Sequence, residues 1–268
     1  MNALAKPVMR RVAAVTDPSV RDRVRAGMHL HAVLPRLDEV ARFDEEGGRL
    51  VRQMGGSMEL RALGGPRVVL RFDQGRVSAS DEGSSSIGLL FPSCSSLNRM
   101  FDGEKVIPLP FKGAWRVGDL KRFTRLTEIL TRYLKPSAED LEDPLFKARH
   151  VEMSLLVGLA ATAVLARHDP KGARIAEHLP SGTMLYTIKG GPSCHVSIDG
   201  DRIIARSGSL DEPTTTIEIR DLDLAVGLIK GEVDTFAANG SGAIKASGSL
   251  VLADEFNVLF DRVGLYLS

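Results

Sequence analysis

Two periodicities alternate along this chain. Across residues 18–54 the apolar positions Val24, Met28, Leu30, Val33, Leu34, Leu37, Val40 and Leu50 recur mostly at helical spacing, with charges between them. They predict leading helices, interrupted near Pro35 and at Gly47-Gly48. The period then shortens. Residues 57–62, 67–72, 75–80 and 84–90 alternate as strands do or are rich in β-branched residues, and Gly-Pro or Asp-Gln-Gly turn signals separate them. They predict an antiparallel meander of four strands, with Asp73-Gln74-Gly75 as a hairpin turn. A short amphipathic helix over 95–102, closed by Gly103, a fifth strand over 112–117 and a final helix over 119–134 complete the unit.

The same series then returns. Gly64-Gly65-Pro66 and Phe72-Asp73-Gln74-Gly75-Arg76-Val77 reappear as Gly190-Gly191-Pro192 and Ile198-Asp199-Gly200-Asp201-Arg202-Ile203, at a constant offset of 126 residues. A period this long is a domain rather than a solenoid repeat of about 20 to 50 residues. The second copy predicts a helix over 221–230 ended by Gly231, a fifth strand over 243–248 and a last helix over 253–263. Its leading helix is the most apolar run of the chain, 151–166. That run is shorter than the roughly 20 residues of a membrane span and is flanked by Arg149, His150 and Arg167, so it reads as a buried core helix. Residues 135–144, rich in proline and acidic residues, read as the linker. The chain is therefore divided into domains 1–138 and 139–268. Its expected class is α+β, each domain a five-stranded, mainly antiparallel sheet covered by helices.

Charge changes the picture more than composition does. The 268 residues carry a net charge of +1, but residues 1–138 hold 23 Lys and Arg against 15 Asp and Glu, leaving 12 against 19 beyond. A basic first domain and an acidic second could attract one another, or the first could make transient contact with an anionic membrane. Nucleic acid is not expected as a partner, because aromatic residues are few and do not interleave with basic ones. Residues 1–11 carry Lys6, Arg10 and Arg11 without an apolar core and read as a flexible or docking arm. Cys94 and Cys194 fall at unrelated places in the repeat, so no disulfide framework is implied and the simplest compartment is a reducing cytoplasm.

The search for chemistry returns little. His29 and His31, two apart on a helix, diverge and make a poor metal pair. Ser93-Cys94-Ser95-Ser96 lacks the Gly-x-Ser-x-Gly pattern and reads as the cap of the helix that follows. Gly240-Ser241-Gly242 leads into a strand, so it offers no helix N-terminus to a pyrophosphate. No catalytic residue, metal or cofactor is expected.

The run Ile217-Glu218-Ile219, Asp221-Leu222-Asp223-Leu224, Leu228-Ile229-Lys230-Gly231-Glu232-Val233-Asp234 and Gly242-Ala243-Ile244-Lys245-Ala246-Ser247-Gly248 resembles the C-terminal half of a sterol carrier protein 2 domain. The first copy is a weaker likeness, through Met100-Phe101-Asp102-Gly103-Glu104-Lys105 and Phe111-Lys112-Gly113, with Pro108 and Pro110 stiffening the intervening loop. The resemblance covers residues 45–134 and 175–266 and implies two tandem domains. It also implies an apolar tunnel between sheet and helices for a sterol, fatty acid, acyl-CoA or isoprenoid.

The lining expected from the first copy is Ile87, Leu89, Phe91, Leu97, Met100, Phe101, Phe111, Trp115 and Phe123; from the second it is Ile217, Ile219, Leu224, Leu228, Phe236, Phe256 and Leu259. The first copy's rings, each worth about 150 to 250 Å² of buried surface, either close its cavity or line a wider pocket for a planar lipid. The expected function is that of a soluble, non-catalytic lipid carrier. The alternatives are an accessory or scaffold factor of lipid or quinone metabolism that uses the same groove for dimerisation or partner binding, and an enzyme assembled from both copies. Homo-oligomerisation is left open.

Overall fold

The computed structural model describes residues 18–200 and 202–267, without the side chains of Pro18 and Phe236. The arm expected at 1–11 lies outside the described residues. The described chain divides into two compact units, one spanning residues 22–141 and another that begins at Glu142 and also takes in residues 18–21.

Helix α1 (Pro18–Met28) leads into the first unit, which continues with a π-turn His29–Val33, a 3-10 turn Leu34–Arg36, α2 (Leu37–Phe43) and α3 (Glu45–Gln53). The break near Pro35 is therefore present, but the one expected at Gly47-Gly48 falls earlier, at Asp44, whose side chain caps α3 by accepting from the Gly47 N–H. The glycines serve contact instead. A Cβ on Gly47 would come within 2.6 Å of Val40 Cγ1, so their lack of side chain lets α3 fold back on α2.

Strands β1 (Gly56–Ala62), β2 (Arg67–Asp73) and β3 (Arg76–Ser80) pair antiparallel, and Gln74 and Gly75 take the positive φ of a tight hairpin. β4 (Ile87–Phe91) then departs from the expected meander. It lies beside β1 and parallel to it, giving the order β3-β2-β1-β4-β5. The connecting residues 81–86 cross the outer face of the sheet, held by Arg67 to the Asp81 and Gly83 carbonyls and by Ser85 to Glu59. Alternation within each strand is the same for a meander and a crossover, so the pattern could not distinguish them.

α4 (Cys94–Phe101) begins at Ser93 with a reciprocal Ser93–Ser96 capping box, as the serine run predicts. β5 is Leu109–Lys112, not 112–117; Gly113, at φ +66°, turns the chain against Ser86 and Ile87, and Val117 already starts α5 (Val117–Leu134).

The second unit runs α6 (Pro144–His168), α7 (Pro170–Ala176), β6 (Gly182–Ile188), β7 (Ser193–Asp199), β8 (Arg202–Ser207) and β9 (Thr215–Ile219). It continues with α8 (Leu222–Lys230), α9 (Thr235–Gly240), β10 (Ile244–Gly248), α10 (Leu250–Asp261) and α11 (Gly264–Leu267). Its sheet order, β10-β9-β6-β7-β8, is that of the first read from the other edge, again with one parallel pair, β6 with β9. The protein is thus α+β, with two five-stranded sheets covered by helices. Gly231 ends α8 at φ +70° as expected, and Asp221 caps it rather than forming its first turn.

α6 is long and apolar enough, by composition, to cross a membrane. It nevertheless buries Val151, Met153, Leu156, Leu159 and Leu165 in its own unit, and Glu152 on this helix binds the Ser207 hydroxyl of β8. Asp169 caps α7 and also receives Nε of the fully buried Arg262 at 2.7 Å, tying α7 to the end of α10.

Candidate functional site

Register decides which side chains meet. In the second unit Met184, Tyr186 and Ile188 stand opposite Val196, Cys194 and the β9 residues Ile217 and Ile219, all on the face turned to the helices. Of the expected lining, Ile217, Ile219 and Leu224 are buried, Leu228 is half-buried, and Phe256 and Leu259 are fully buried on α10. The Phe236 side chain lies outside the described residues. Phe256 and Phe260 stack at 6.3 Å between centroids, and the Tyr186 ring lies 6.3 Å from Phe260. Strand β6, helix α10 and these rings therefore form one apolar layer.

Tyr186 is the residue that the sequence reading missed. Its ring lies beside Phe260, its hydroxyl has no hydrogen-bond partner among the described residues, and burial, then the Asp261 carboxylate, push its pKa up, so it stays a neutral O–H. A buried hydroxyl without a partner costs about 1 to 3 kcal/mol. The one available signal was a tyrosine at an inward position of a strand.

In the first unit the inner sheet face carries Ile87, Leu89 and Phe91, all buried, and the helices add buried Leu97 and Phe123 with half-buried Met100 and Phe101. Phe111 and Trp115 are placed elsewhere. The Phe111 ring lies over Gly88 on the outer face, with the Arg61 guanidinium 4.6 Å from its centroid, and Trp115 is 82% exposed. His29 is one of the buried polar groups of this unit. It stacks on Phe101 at 4.2 Å and 9°, and neither ring nitrogen has a hydrogen-bond partner among the described residues. Burial, aided by Arg25, lowers its pKa to about 3, so the ring is neutral. His31 instead meets Asp81 at 3.1 Å, so the two histidines do diverge.

An open polar cleft of about 360 Å³ lies between the α1–α2 turn and β3, bounded by His31, Asp38, Glu39 and Asp81. None of the expected lining residues borders it. Among the described residues no cluster of three or more His, Cys, Asp or Glu could hold a metal, and neither Cys94 nor Cys194 is in a disulfide.

No protein-family profile matches the chain, and no curated protein matches it. Several solved structures similar to it are sterol carrier protein 2 domains. The sterol carrier protein domain 2 of Helicoverpa armigera is 16% identical over 43% of this chain and 91% of its own, with a TM-score of 0.34. A UbiJ-SCP2 ubiquinone synthesis protein is 18% identical over 47% of this chain and 97% of its own, with a TM-score of 0.32. Palmitated SCP2L2 from Aedes aegypti is 18% identical over 33% of this chain and 85% of its own, with a TM-score of 0.26. At such scores the architecture is read from this chain's own strands and helices.

Proposed function

We propose that this protein is a non-catalytic carrier of a hydrophobic molecule with a polar end, such as a sterol, fatty acid, acyl-CoA or isoprenoid, working in a reducing cytoplasm. The ligand lies between the helices and the inner sheet face of the second unit, against Ile217, Ile219, Leu224, Leu228, Phe256 and Leu259. The observation that carries the reading is the buried Tyr186 hydroxyl, a neutral donor without a hydrogen-bond partner among the described residues, in a layer built mainly of aliphatic and aromatic side chains with Asp261 nearby. A ligand whose tail replaces side-chain packing and whose oxygen accepts from Tyr186 removes that cost. Entry parts α10 from the sheet. That helix is apolar on two sides at its start, burying Leu252 and Ala253 while Leu250 and Val251 are 62% and 66% exposed. The two sheets with one strand order are tandem copies of a sterol carrier protein 2-like domain in this reading, and the first unit's inner layer is the second candidate chamber.

Native mass spectrometry after mild extraction, combined with titration of a fluorescent fatty acid, tests it. A co-purified lipid and saturable uptake are expected. Tyr186→Phe weakens uptake about tenfold, the worth of one hydrogen bond, while stabilising the empty protein by about 1 kcal/mol. Phe256→Arg places a charge at a fully buried position and abolishes uptake. A folded Phe256→Arg protein with undiminished uptake refutes the site. An empty protein isolated with a stable partner favours the scaffold alternative.

A further inference from the structure

The two sheets differ on their outer faces, at the end where β4 and β5 lie. The Leu63 N–H donates to the Phe91 carbonyl at 2.9 Å, as the Lys189 N–H does to that of Ile219 at 3.0 Å, so Leu63 and Lys189 hold the same place. Leu90 pairs with Leu109 across β4 and β5, where the second sheet pairs Glu218 with Lys245. Strand order and connectivity are shared. The fold therefore accepts three charged side chains where the first unit presents three leucines, and packing does not explain them.

These leucines adjoin one another through the register, and Phe111 extends the patch over Gly88. Leu63 is 65% exposed, Leu109 56% and Phe111 43%. Next to β5 in the chain, Ile107 and Trp115 are still more exposed. Single exposed apolar residues are ordinary, but a joined cluster marks a surface that meets something.

We infer that this edge docks the protein onto an anionic lipid bilayer. Charge favours such a surface locally: residues 105–121 hold Lys105, Lys112, Arg116 and Lys121 against Asp119, which pairs with Arg116 at 2.7 Å and leaves the three lysines. Basic side chains beside exposed isoleucine, leucine and tryptophan suit the boundary where headgroups meet acyl chains, the rings and branches entering while the cations meet anionic headgroups. The backbone argues against a protein strand as occupant. β5 is an edge strand, and Pro108 and Pro110 remove donors that strand addition would use.

The assignment rests on the surface alone and does not require the ligand layer of the second unit. Trp115 is the only tryptophan of the chain, so its emission reports the edge directly. With the full chain and vesicles of phosphatidylcholine, with or without phosphatidylserine, a blue shift and quenching by brominated lipid are expected only when the anionic lipid is present, diminishing as salt is raised. Ile107→Asp, at an exposed position that leaves the fold intact, weakens vesicle binding about tenfold. Lys105→Gln and Lys112→Gln each weaken it about fivefold. Tyr186→Phe binds vesicles as the wild type does, which separates failure of this surface from failure of the ligand site. Unchanged Trp115 emission with no co-sedimentation overturns the assignment, as does binding indifferent to Ile107→Asp. A blue shift that grows with protein concentration without vesicles shows that a second copy covers the edge, and also overturns it.

Discussion

Protonation of His29 gives the sharpest test of the packing in the first unit. The ring is 6% exposed, stacks on Phe101 and has a pKa lowered from 6.5 to about 3 by burial and then by Arg25. The unfolded chain therefore binds a proton that the native state refuses, and stability is lost as pH falls below about 6.5. The loss is then negligible at pH 7.5, below about 1 kcal/mol at pH 6 and on the order of 2 kcal/mol at pH 5. His29→Phe keeps an aromatic ring against Phe101 and has nothing to titrate. Urea denaturation of both proteins between pH 7.5 and 5, followed by circular dichroism, should give curves that separate as the medium is acidified. The variant should be no less stable than wild type by more than about 1 kcal/mol at pH 7.5 and gain about 2 kcal/mol on it by pH 5. Taking the difference cancels the groups that titrate alike in both proteins. Parallel curves would refute the buried, neutral histidine.

Removing half of the buried pair, with Asp169→Ala, leaves Arg262 without its carboxylate and should destabilise the second unit by about 3 to 5 kcal/mol, seen as a lowered denaturation midpoint. Gly248→Ala meets both a φ of +87° and the Thr214 carbonyl, so it should cost at least about 1 to 3 kcal/mol in the same assay, and a neutral result would contradict the turn into α10. A fragment of residues 139–268, holding every strand of the second sheet with the helices that follow α5, should show a cooperative thermal transition by calorimetry; a featureless trace would refute independent folding.

Local pattern was enough for most elements of this protein. Helical spacing, the serine run before α4 and the closing Gly103 and Gly231 located α4 and α8, and spacing alone placed α10 to within a few residues, because each depends on contacts a few positions apart. The offset of 126 residues likewise anticipated two sheets, and it holds residue for residue in β1 against β6 and in β2 against β7. Pairing was not legible. Alternation says which residues share a face but not which strand lies alongside, so the crossover that sets β4 parallel to β1 emerged only in the folded sheet. Gly47-Gly48 shows the same limit, since a glycine pair reads as a break until the helix it packs against is known. The site was divided in the same way. Inward positions such as Ile217, Ile219 and Phe256 followed from periodicity, whereas Phe111 reached the outer face through the irregular β4–β5 pairing. Tyr186 and His29, two of the buried polar side chains, became conspicuous only when tertiary packing put them beside Phe260 and Phe101 without hydrogen-bond partners among the described residues, because burial and hydrogen bonding belong to neighbours distant in the chain.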